Sequence, residues 1–132
     1  MYVTLLYTYA REYHFTSCGF FGCTGCGHRA FGAHGLAETL AANGRTDTFE
    51  TAVLYHFFHT LALLLVGAVA LIRPERALGG VAIAFLLGIL IFSGSLYVLA
   101  VFNLPFLGAI TPFGGVAFIV GWVLFALKMR GK

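Results

Sequence analysis

Charge is what this 132-residue chain has least of. Only 10% of its residues are Asp, Glu, Lys or Arg, against 60% hydrophobic, and the mean hydropathy is +0.92. Between Thr51 and Ile72 there is no charged residue, and from Ala77 to Leu127 there is again none. A soluble domain of this size cannot hide so much apolar surface, because its ratio of surface to volume is too high. Hydrocarbon must therefore be the solvent for much of the chain. The net charge of +3 is small and scattered, which excludes the basic stripe of a nucleic-acid-binding protein. Cysteine is scarce and local: Cys18, Cys23 and Cys26 all fall within one stretch of nine residues. A basic segment leading into an uninterrupted apolar run is missing at the amino terminus, so no signal peptide is expected there.

What is present are apolar runs of membrane-crossing length. About 20 apolar residues at 1.5 Å each cross a hydrocarbon core of roughly 30 Å. The first charge-free run supplies one span, near residues 48–72. The second is long enough for two, divided at Asn103-Leu104-Pro105, since Asn and Pro are poor helix-interior residues. Those two spans lie near residues 77–101 and 108–127. The fold class expected is all-α, a multi-pass transmembrane helical bundle with three clear spans and a fourth at the amino terminus. Arg73 and Arg76 in the first short loop, and Lys128, Arg130 and Lys132 after the last span, place both regions on the cytoplasmic side. The segment 33–47 and the uncharged Asn103 loop then belong outside. If 33–47 is outside and both ends are inside, another span must precede it.

Residues 10–32 do not read as that span. Arg11, Glu12, His28 and Arg29 interrupt the region, and one central Arg costs about 2.5–3.5 kcal/mol on the insertion scale. Cys23-Thr24-Gly25-Cys26 is a C-x-x-C pair, but His28 follows at the wrong distance for haem attachment and a second zinc knuckle is absent. Nor does a thioredoxin-like context surround it. Packing of three small, soft side chains is the simpler alternative. A third reading is a shifted reading frame. Read one base later, every Cys codon encodes Val or Ala, and one permitted codon choice turns 17–29 into an Ala-rich apolar segment suited to helix packing. The chain thus divides into an atypical segment 1–29, a membrane domain 30–127 and a basic tail 128–132.

Downstream, the blocks Ala30-Phe31-Gly32-Ala33-His34-Gly35-Leu36, Phe49 to Val53 with His59, Gly88 to Tyr97, and Leu107 to Gly115 followed by Gly121-Trp122 carry a resemblance. Together they resemble the domain-of-unknown-function 423 family, small multi-pass membrane proteins akin to transmembrane protein 256. The resemblance covers residues 30 to about 127. It implies a chain of about this length with four spans, the first an Ala-rich helix running into the Ala30–Gly35 block. This sequence departs from that pattern through residue 29. The resemblance implies no activity, since none is established for the family.

Ionisable and polar residues inside a membrane are candidate functional groups. Tyr55, His56 and His59 lie on the first of the three clear spans, with His56 and His59 sharing a face with Thr60. Glu50 lies nine residues before His59, on the opposite side of the helix. Each histidine could also be a neutral ring hydrogen-bonded to a neighbouring helix. On the next span Ser93, Gly94 and Ser95 sit together with Tyr97 beyond, and Ser93 is at the depth of His56, within reach of a hydrogen bond. Small residues there also permit close packing, as do Ala84 with Gly88 and Ala117 with Gly121. Asp47-Thr48-Phe49-Glu50 has the spacing of a capping box. Leu36 to Ala42 reads as a short interfacial helix stopped by Asn43-Gly44.

His34, Glu50, His56, Ser93, Tyr97, Asn103 and Thr111 all map to the outer half, while the inner half holds almost only apolar residues. The expected binding set is His34, Glu50, His56, His59, Ser93, Tyr97 and Thr111, a polar basin open to the outside. No catalytic residue, metal or cofactor is expected, because no nucleophile–base–orienter set can be named. The expected function is a non-catalytic accessory or binding protein in a bacterial plasma membrane, with its carboxyl terminus cytoplasmic. The alternative is a channel or transporter for protons or a small solute. The partners expected are the lipid bilayer and another membrane protein or a second copy.

Overall fold

Hydrocarbon offers no partner to a backbone N–H or C=O, so a chain that crosses it must satisfy those groups within each segment. The computed structural model describes Cys23, Thr24, Gly27 and residues 35–130, and among these there is no strand. The amino-terminal span, Cys18, Cys26, His28, His34 and Lys132 lie outside the described residues, as does all of 17–29, the stretch of the frame-shift reading, apart from Cys23, Thr24 and Gly27.

A short helix, α1, runs over Ala37–Ala42. Three long helices come after it: α2 over Thr46–Ile72, α3 over Gly79–Phe102 and α4 over Thr111–Arg130. Each is long and apolar enough to cross a bilayer, α4 together with the turn before it. The connections are tight. Pro74–Arg76 form a single 3₁₀ turn, and Pro105–Ala109 form another after Asn103 ends α3 in the left-handed region at φ 51°. Pro at the first position of each turn costs nothing there, because that N–H has no helical partner to lose.

The helices pack antiparallel. The core toward the carboxyl-terminal end of α2 is wholly apolar: Leu63, Val66, Val81, Phe85, Ile89 and Phe118. A smaller cluster at the other end joins Leu40 of α1 to Phe49, Val53 and Ala100. Residues Ile89–Ser93 of α3 form a π-helical turn. One extra residue in a turn rotates the remainder of the helix by about 100° relative to an unbroken one. The segment before the turn lies mainly against α4, and the segment after it mainly against α2. The π turn lets one helix serve two neighbours.

Close approach of α3 and α4 is set by rings seated over glycines. A methyl group at Gly121 would stand 2.6 Å from the Phe85 ring, and one at Gly88 would collide with Phe118. At Gly114 it would meet the backbone of Phe92 itself, 2.7 Å from Cα. Reading down α3 and up α4, the three contacts form a ladder.

The capping box expected at Asp47–Glu50 is not formed. Helix α2 starts at Thr46, no side chain caps it, and Glu50 is exposed. The start lies one residue before Asp47, which places Asp47 inside the first turn, where a carboxylate still favours the helix dipole. The Thr51 hydroxyl bonds back to the Asp47 carbonyl at 2.8 Å.

Candidate functional site

Two groups of side chains inside the bundle can do more than fill space. The first lies toward the α1 end. His56 presents Nδ1 to the Tyr97 hydroxyl at 3.2 Å and Nε2 to the Thr24 hydroxyl at 3.5 Å. The Tyr97 ring also rests on Phe49, with centroids 5.2 Å apart. Nearby, the Ser95 and Thr111 hydroxyls meet at 2.9 Å, and each also reaches a carbonyl on its own chain segment, Phe92 and Leu107. Two hydroxyl protons serve three contacts there, so one contact at a time lacks its proton.

The hydrogen bond from His56 to Ser93 does not form: His56 turns to Tyr97 instead. Ser93 is fully buried, and its Oγ has no hydrogen-bond partner among the described residues. A helical Ser normally bonds the carbonyl four residues back. Ser93 closes the π turn, where the carbonyl spacing differs. Of the expected polar basin, then, the structure pairs His56 with Tyr97 and Thr111 with Ser95. It leaves Glu50 on the surface and puts Asn103 in a hydrogen bond from Arg45 Nε at 3.3 Å. Asn43 locks α1 down by donating to the Ala100 and Val101 carbonyls at 3.1 and 3.0 Å, two of the orphan acceptors at the end of α3.

The second group surrounds His59. Although His56 and His59 are only three residues apart, they have different neighbours: His56 looks to α3, His59 to α4. The His59 ring lies flat on Phe118, with centroids 3.5 Å apart, and meets the edge of Trp122 at 6.4 Å. Phe85 stands 5.7 Å away, and Tyr55 5.9 Å. Nδ1 bonds the Tyr55 carbonyl at 2.9 Å. A carbonyl only accepts, so Nδ1 carries the proton, and in the neutral ring Nε2 is an acceptor. This aromatic shell was not anticipated. The signal existed in the spacing of Phe118, Trp122 and Phe125, which places three rings along one side of a helix.

Beside His59 a groove of about 550 Å³ opens between α2 and α4, walled by Phe58, Leu61, Leu65 and Trp122. Among the described residues no group of three His, Cys, Asp or Glu side chains could hold a metal. Cys23 carries an exposed free thiol.

Comparison with known proteins gives a consistent result. Residues 29–115 match the family described as "Protein of unknown function (DUF423)". The chain is 44% identical over 101 residues to the UPF0382 membrane protein YwdK of Bacillus subtilis, covering 74% of this chain and 80% of that one. It is 41% identical over 108 residues to a UPF0382 membrane protein of Haemophilus influenzae, with 82% and 83% covered. With the UPF0382 inner membrane protein YgdD of Escherichia coli it shares 37% identity over 106 residues, 78% and 80% of the two chains. No solved structure matches it.

Proposed function

Because this chain belongs to the DUF423 family of bacterial-type membrane proteins, which brings no activity with it, we infer from its side chains that it is a non-catalytic binding or accessory protein rather than a conduit. One observation carries the reading. The polar side chains toward the α1 end close into short pairs, His56 with Tyr97 and Ser95 with Thr111. Below them Leu63, Val66, Val81, Phe85 and Ile89 form an apolar layer. An ion crossing that layer would meet no group to replace its hydration, and uncompensated charge in hydrocarbon costs many kcal/mol. Polar groups that stop halfway can hold a ligand or a partner but not pass one on. His56, Ser93, Tyr97 and Thr111 are the residues of this site.

The test is flux. Liposomes holding the full chain should leak protons and small solutes no faster than empty ones, and His59→Ala should change nothing. Leakage abolished by His59→Ala would establish transport instead.

The orientation proposed has the carboxyl terminus in the cytoplasm. Arg76 donates to the Lys128 carbonyl, so the Arg73–Arg76 turn and the basic end of α4 share one side of the bundle, and positive charge gathers on the cytoplasmic side. In a background with Cys18, Cys23 and Cys26 replaced, Phe106→Cys should react with an impermeant maleimide on intact cells. Lys132→Cys should react only after lysis, and the reverse pattern would invert the topology.

A further inference from the structure

The groove beside His59 has features that the packing of the bundle does not require. His59 is only 8% exposed, yet its Nε2 is not among the sealed polar atoms and has no hydrogen-bond partner among the described residues. Nε2 is therefore open at the edge of the packed core, and His59 is one of the residues that line the groove. Tyr55 and Trp122 also line this space, and neither the Tyr55 hydroxyl nor the Trp122 indole N–H is hydrogen-bonded among the described residues. The rest is hydrocarbon, Phe58, Leu61 and Leu65 among it. A volume of about 550 Å³, apolar walls and a few convergent polar groups are the usual make-up of a small-ligand site.

Depth decides what can enter. His59 stands at the middle of Thr46–Ile72, roughly 20 Å from either end at 1.5 Å per residue. A phospholipid headgroup anchored at the interface does not reach that level. The occupant must be dissolved in the hydrocarbon itself. Hydrogen-bond complementarity decides the rest. With Nδ1 donating to the Tyr55 carbonyl, Nε2 needs a donor, and the hydrocarbon of a bilayer supplies none. An ether or ketone oxygen only accepts and leaves Nε2 unpaired. A hydroxyl donates to Nε2 and can in turn accept from Tyr55 or Trp122. The flat rings of Tyr55 and Trp122 favour a flat partner. We propose that the α2–α4 groove binds a membrane-dissolved phenol or hydroquinone, its hydroxyl donating to His59 Nε2. This rests on the reading of the protein as a binder rather than a conduit.

Trp122 lines the groove and is the chain's only tryptophan, so its fluorescence reports on this part of the surface, and the comparison of two similarly partitioning probes removes quenching from the bulk bilayer. The full chain in lipid nanodiscs would be titrated with a ring-brominated 4-decylphenol, and in parallel with its methyl ether, which partitions similarly but cannot donate. One hydrogen bond to an otherwise unpaired buried acceptor corresponds to roughly a tenfold difference in affinity. The phenol should reach half-maximal quenching at about a tenfold lower concentration than the ether, and His59→Phe, which keeps a ring but removes the acceptor, should erase the difference. Coincident curves for phenol and ether overturn the proposal, as does a difference that survives in His59→Phe. If that variant does not assemble, the two titrations of the unaltered chain decide alone. Disulfide linkage of Leu61→Cys chains to one another would put a second copy in the groove and also overturn it. Liposome flux judges the binder reading separately: coincident curves with silent flux remove the phenol but not the binder.

Discussion

Gly114→Val is expected to prevent stable assembly of the bundle, whereas Gly115→Ala, one residue away, should leave it nearly unchanged. The difference lies in what each position faces. A methyl on Gly114 would overlap the Phe92 backbone and stand 2.7 Å from both its Cα and its Cβ. Backbone cannot rotate aside as a ring can, so α4 would have to move away from α3 as a whole. On Gly115 the nearest atoms are ring carbons of Phe92 at 3.8 and 3.9 Å, which is ordinary contact. Overpacking a well-packed site costs about 1–3 kcal/mol and occasionally more. Here a β-branched side chain against backbone belongs at or above the top of that range, and in a membrane no hydrophobic force holds the helices together in compensation. The measurement is thermal unfolding of the purified variants in the same detergent. Equal melting of Gly114→Val and wild type would mean that α3 and α4 are not this close.

Phe118→Ala should be the next most damaging change. Phe118 is 4% exposed and touches both sides of the interface: it stacks on His59, meets Phe92 at 5.6 Å and occupies the space that Gly88 leaves free. In soluble cores Phe→Ala costs about 3–5 kcal/mol as lost transfer energy plus a cavity. In hydrocarbon most of the transfer part vanishes, because lipid is as apolar as the core, but the lost packing remains. A cost of roughly 2–3 kcal/mol is expected on those grounds. Phe118→Leu should recover part of it, and a double change with Gly88→Ala should be milder than the sum of the two, since the methyl would enter the vacated space. Strict additivity of the two changes in urea or thermal unfolding would show that Phe118 and Gly88 do not share that space.

The sequence by itself determined where the chain resides and how often its described part can cross a bilayer. Two runs without charge, Thr51 to Ile72 and Ala77 to Leu127, leave hydrocarbon as the only solvent that suits them, and backbone hydrogen bonding then permits only helix. Asn103 and Pro105 marked the break between α3 and α4 for local reasons of backbone geometry, which need no knowledge of neighbours. The stop at Asn43-Gly44 was legible on the same ground, and Gly44 adopts φ 63°. Position along each helix also put His56 and Tyr97 at one level of the bundle, where the structure pairs them.

What depth does not give is azimuth. Which way each side chain points depends on the rotation of its helix, and the π turn at Ile89–Ser93 shifts that rotation midway along α3. A uniform helical repeat drawn through α3 therefore misjudges one half of it. Depth alone pairs His56 with Ser93, whereas the rotation of α3 brings Tyr97 to His56 and leaves the Ser93 hydroxyl without a partner among the described residues. In the sequence Gly114 and Gly115 are two adjacent, interchangeable glycines. Only the approach of α4 to the Phe92 backbone separates an obligatory glycine from an optional one. The aromatic shell of His59 has the same origin. Its rings come from α2, α3 and α4, and no local rule links residues 59, 85 and 118 until three helices are laid side by side.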